Sequence, residues 1–70
     1  MAELDEVGKA ILEALAGMEE PAGCGEITKK AGLSTPKVVG KLRGLLKQGL
    51  VERPVKGKYV ITEAGKTALS

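Results

Sequence analysis

The side chains of this chain that could do chemistry are mostly cations, and they are gathered. From residue 27 to residue 51 stand Lys29, Lys30, Lys37, Lys41, Arg43 and Lys47, with no carboxylate among them. Ammonium and guanidinium groups collected in this way suit the oxygens of a polyanion, above all nucleic-acid phosphates, whose condensed counterions they displace. The net charge of +2 conceals this division. Residues 1–26 carry Lys9 against Glu3, Asp5, Glu6, Glu13, Glu19, Glu20 and Glu26, a balance of −6, whereas residues 27–70 sum to +8. A chain polarised like this offers one basic surface while its acidic part keeps away from the same ligand. The plainer alternative is a solvated basic helix face.

Other chemistry is poorly supplied. There is no histidine, and Cys24 is the single cysteine, which excludes an intramolecular disulfide and a Cys/His zinc cluster built within one chain. No metal or other cofactor is expected. Without histidine the thiol and the hydroxyls lack a usual general base, and the acids gather on the first helix, so no catalytic arrangement can be assembled and an enzyme is not expected. Cys24 reads as a small residue packed beside the second helix, with a redox-sensitive thiol as the alternative. The acidic start, MAELDE, lacks the basic region and apolar run of a signal peptide, and no stretch approaches membrane-spanning length. A cytoplasmic location without a membrane partner is the expectation.

The elements that must position the cations follow from spacing. One α+β domain over residues 3–69 is predicted, with an aliphatic core, since Tyr59 is the only aromatic residue. Leu4, Val7, Ile11, Leu15 and Met18 make one apolar stripe on a helix over residues 3–17, whose other face is acidic. Pro21, Gly23 and Gly25 then break the helix, with a short extended piece at 22–24. A second helix at 25–31 buries Ile27 and Ala31 and stops at Gly32. Ser34 is expected to cap the third helix through its hydroxyl, and Pro36 is tolerated in the first turn. Val38, Leu42, Leu45 and Leu46 give that helix its inner face, Gly49 ends it and Leu50 returns to the core. Residues 50–53 and 58–62 read as two strands joined through Pro54, Val55, Lys56 and Gly57. Thr62 caps a last helix beginning at Glu63.

Three segments carry a resemblance: EITKKAGLS at 26–34, LRGLLKQGLVER at 42–53 and YVITEAGK at 59–66. In order and spacing they resemble a winged helix-turn-helix regulator of the broad ArsR/MarR type: its second helix and turn, its recognition helix running into the first wing strand, and its second wing strand. The likeness covers about residues 7–69. It implies a DNA-binding transcription regulator whose third helix enters the major groove by its N-terminal half while the wing follows the backbone or the minor groove. Carried over position by position, the resemblance assigns DNA contacts to Thr35, Pro36, Lys37, Gly40, Lys41, Arg43, Gly44 and Lys47 on the helix. It adds Arg53, Lys56 and Lys58 on the wing. Ser34 and the amides beside it would hold a phosphate.

The chemistry departs from the pattern of a strong sequence reader. Arginine on guanine and Asn or Gln on adenine are the usual base contacts, but the outward face here has no Asn, one distal Gln48, and Gly40 and Gly44 at its centre. Lysine serves mainly as a point charge for phosphate. Modest specificity from Thr35, Lys37 and Arg43, or largely sequence-blind binding, is expected. The two glycines each cost about 1 kcal/mol relative to Ala. Either they let DNA or another helix approach the backbone, or an exposed position simply tolerates them. Lys29 and Lys30 read equally as phosphate contacts and as solvated lysines, and Tyr59 as a cover for the open end of the core or a backbone contact. The rival function is a winged-helix interaction module that holds a protein partner by the glycine-lined face and does not read DNA. Family relatives pair through terminal helices; with a short last helix and an acidic first one, a monomer or weak homodimer is expected here.

Overall fold

The computed structural model describes residues 6–18 and 20–69. Its elements run α1 (Glu6–Ala16), α2 (Cys24–Ala31), α3 (Thr35–Lys47), β1 (Val51–Val55), β2 (Lys58–Ile61) and α4 (Glu63–Leu69). The predicted start of the first helix at residue 3, and Leu4 in its stripe, lie outside the described residues. Within them α1 buries more than one stripe: Ile11, Leu12 and Leu15 are almost fully enclosed, with Gly8 and Ala14 beside them. The cause is tertiary. α1 packs against α2, α3, α4 and β2, so it is covered on several sides.

The extended piece after α1 is one residue long. Ala22 and Tyr59 exchange backbone hydrogen bonds, Ala22 N–H to the Tyr59 carbonyl at 2.9 Å and Tyr59 N–H to the Ala22 carbonyl at 2.8 Å. α2 starts at Cys24, one residue earlier than the spacing predicts, and ends where Gly32 takes φ 71° and donates to the Thr28 carbonyl at 3.0 Å. A left-handed residue there costs glycine little. Ile27 is buried and Ala31 only half-buried.

α3 begins as predicted but not by the predicted bond. Ser34 occupies the N-cap with φ −88° and ψ 150°, and its carbonyl accepts from Val38 at 3.1 Å, yet its side chain makes no capping hydrogen bond. An N-cap hydroxyl reaches for the amide of the second or third helical residue. Pro36 is the second residue and has no N–H. The fixed φ of proline, rather than the serine hydroxyl, prepares this turn. The helix ends at Lys47, with Gln48 as C-cap, and Gly49 at φ 76° reverses the chain so that Leu50 N–H reaches the Leu45 carbonyl at 2.9 Å.

β1 and β2 form an antiparallel hairpin with Val51 opposite Ile61, Glu52 opposite Val60 and Val55 opposite Lys58. The first strand runs two residues beyond its predicted end at Arg53. It does so through a bulge between Glu52 and Val55, where Arg53 and Pro54 together oppose Tyr59. A bulge accommodates Pro54, which cannot donate to the ladder. The turn shortens to Lys56 and Gly57, the latter at φ 80°.

Thr62 does cap α4, since its hydroxyl accepts from Gly65 N–H at 3.1 Å while donating to the Gly49 carbonyl at 2.7 Å. One side chain thus fastens the last helix to the end of α3. The core joins Ile11, Leu12, Leu15, Ala22, Ile27, Val38, Leu42, Leu45 and Val51, and half-buried Tyr59 and Leu50 pack against it. The arrangement is an α+β winged helix-turn-helix. No helix among the described residues is long and apolar enough to cross a membrane.

Candidate nucleic-acid interface

With Val38, Leu42 and Leu45 fixed inward, the helical period sends the other side of α3 out. Ser34, Thr35, Pro36, Lys37, Gly40, Arg43 and Lys47 are exposed, while Lys41 and Gly44 are half-buried. At about 100° per residue, Gly40 and Gly44 fall opposite Leu42. Apart from the adjoining residues and the helix's own backbone, no heavy atom lies within 4 Å of where a Cβ would sit on either. The centre of the outer face is therefore bare backbone, bordered by Lys37 on one side and by Arg43 and Lys47 on the other. A shallow depression lined by Arg43, Gly44, Leu46 and Lys47 continues this face toward the end of α3.

The wing cations divide into two kinds. Arg53 and Lys56 stand exposed near the turn. Lys58, at the start of β2, places its Nζ 3.3 Å from Oε1 of Glu26 on α2. Both side chains are largely exposed, so the pair adds little stability, but any phosphate must compete with Glu26 for this ammonium. Nothing local in the sequence signals a contact between residues 32 apart.

Lys29 is exposed. Lys30 turns toward α1: its Cε and Nζ lie 3.7 Å from the Cβ position of Gly17, beside a helix end that has no basic residue in its own last turn. A cation there complements the negative end of the helix dipole. Cys24 is half-buried against the core at the head of α2, and its carbonyl accepts the Thr28 hydroxyl at 2.7 Å. Sequence reasoning passed over two residues here. Val39 lies exposed on α3, and Gly65, buried in α4, would drive an added Cβ into the Leu50 carbonyl oxygen. An exposed valine in an otherwise basic and glycine-rich face was the available signal for the first; the second had none.

A family model for the IclR helix-turn-helix domain matches residues 6–54, from the first residue of α1 into β1. No curated protein matches the chain. The match corrects the ArsR/MarR-type resemblance at the level of family, since winged-helix families share the helix-turn-helix spacing and the run into the wing, and those were the features that carried the likeness. The matched segment contains both helices of the helix-turn-helix and the acid-free basic run. The chain belongs to the IclR helix-turn-helix domain family, whose members are DNA-binding transcription regulators.

Proposed function

We propose that this chain binds duplex DNA with α3 in the major groove and the wing on the backbone, holding phosphates more than it reads bases. The observation that carries the reading is the outer face of α3: bare backbone at Gly40 and Gly44, exposed Lys37, Arg43 and Lys47 along its borders, and no acid on the helix. Thr35, Pro36 and Lys41 complete the helix contacts, Ser34 and the neighbouring amides hold a phosphate, and Arg53 and Lys56 supply the wing. Lys58 joins them once Glu26 releases it. The unit that acts is residues 3–69, in the cytoplasm, as a monomer or weak homodimer.

An amide-shift titration with mixed-sequence duplex at two salt concentrations tests this. Neutralising about four phosphates gives a log–log salt slope of about −3.6, at about −0.9 per phosphate. Shifts should cluster in residues 34–47. No binding at low salt, or shifts confined elsewhere, would overturn the proposal. The rival, a module that holds a protein partner, draws on the depression beside Leu46 and on the lack of Asn or Gln among the central outward residues. A stoichiometric partner competing at residues 37–47, without salt-dependent DNA affinity, is the result it requires.

The glycines give a second test with two readouts. Gly40→Ala and Gly44→Ala should each stabilise the fold by about 1 kcal/mol, because the space is open and Ala is the better helix former. The double variant should nevertheless bind duplex DNA more weakly, since two methyl groups then stand between the helix and the groove. Higher melting temperature with unchanged affinity would remove close approach as the reason for the glycines.

A further inference from the structure

Neither the core nor the charge pattern explains Val39. It is 37% exposed and, with Val55, one of two large hydrophobic side chains exposed among the described residues. Leu33 and Leu46 are half-buried against the core, whereas Val39 is exposed and is not one of the residues that build it. Its spacing to Pro36 and Arg43, three residues back and four ahead, sets all three along one edge of the stripe left bare by Gly40 and Gly44.

In the major groove the base edges are donors and acceptors, except that thymine alone presents a methyl group at C5. A branched aliphatic side chain makes no hydrogen bond. Pressed on a polar edge it removes water without compensation, whereas pressed on a methyl group it buries apolar surface on both sides. Val39 is short, so reaching a base edge requires the helix backbone to come close, which the absence of side chains at Gly40 and Gly44 permits. Its β-branch leaves one favoured rotamer on a helix, so docking costs it little conformational freedom.

We propose that Val39 is a specificity-determining residue that contacts the C5-methyl group of thymine, giving α3 a preference for thymine next to the position met by Arg43. The inference rests on the placement of α3 in the major groove proposed above. It supplies a base preference on a helix whose remaining outward groups are mainly suited to phosphate.

The test compares two mixed-sequence duplexes that differ only in carrying thymine or deoxyuridine, which lacks the methyl group. The protein should bind the thymine duplex about 4-fold more tightly for each methyl it buries, the equivalent of about 0.8 kcal/mol for one methyl-sized group. Val39→Ala should bind both duplexes alike. The variant leaves the core untouched and substitutes a stronger helix former, and thermal unfolding checks that it is folded. Equal affinity of the unaltered protein for the two duplexes overturns the role of Val39, as does a thymine preference that survives Val39→Ala. In both cases salt-dependent binding leaves the proposed function standing. No salt-dependent binding to either duplex overturns both.

Discussion

Gly65→Ala is expected to destabilise the fold by roughly 3 kcal/mol and to lower the melting temperature by roughly 15 °C. Two effects of opposite sign compete at this position. Helix propensity alone favours Ala over Gly by about 1 kcal/mol. Against that, a Cβ at Gly65 would collide with the carbonyl oxygen of Leu50 and come within 2.7 Å of Cγ1 of Ile61. The carbonyl cannot step aside freely, because it accepts the Thr62 N–H at 3.1 Å, and Thr62 in turn caps α4. Sterics therefore wins. A loss of this size is a large share of the roughly 5 kcal/mol that a domain this small commands. The same substitution at Gly40 is expected to have the opposite sign, so paired thermal melts separate packing from propensity. An unchanged or raised melting temperature for Gly65→Ala would show that α4 moves off the turn after α3 at little cost.

Replacing Lys37, Arg43 and Lys47 together with Ala is expected to weaken duplex-DNA binding roughly 100-fold near 0.1 M salt and to flatten the log–log salt slope by about 2.7. The three are exposed cations on one helix face, and every phosphate they no longer neutralise keeps its condensed counterion when the protein binds. The fold should be unaffected, because all three are exposed and Val38, Leu42 and Leu45 still anchor the helix. Lys66→Ala on α4 is the control. That ammonium lies 3.8 Å from Glu63, and its removal should leave the slope nearly unchanged. A triple variant that keeps the original slope would move the phosphate contacts away from α3.

Where structure follows from local pattern, the sequence was sufficient. The period of Val38, Leu42 and Leu45 set the inner face of α3, and Gly32, Gly49 and Gly57 fell at the turns where their positive φ values are found. Thr62 before Glu63 marked the last helix correctly. Where two distant segments decide the outcome, the pattern was silent. Leu12 lies beside the single stripe assigned to α1 and is buried because other elements close over it. The continuation of β1 through Pro54 depends on the bulge opposite Tyr59, which is a property of the pair of strands. The unused Ser34 hydroxyl is a different case, in which the local rule marked the start of the helix but not the bond that makes it.

The candidate interface divides along the same line. Its cations and glycines were visible as residue types along the chain, since charge and the lack of a side chain are properties of single residues. The engagement of Lys58 by Glu26 and of Lys30 with the end of α1 appeared only in three dimensions. Glu26 competes for Lys58 and the end of α1 attracts Lys30, so a count of basic residues overstates what is ready to meet phosphate.

The pairing of Ala22 with Tyr59 gives the fold a mechanical property. Two short hydrogen bonds make the link between α1 and α2 a third, one-residue strand on the hairpin, and a Cβ at neighbouring Gly23 would lie 3.3 Å from the carbonyl oxygen of Gly57 at the hairpin's tip. The outer half of the hairpin, from Tyr59 to the tip, is therefore held by the segment that leaves α1. A tilt of α1 would reach the hairpin through this link as well as through α3, which packs against both α1 and β1. Arg53 and Lys56, exposed near the hairpin's turn, are thus carried on an arm whose position follows that of α1.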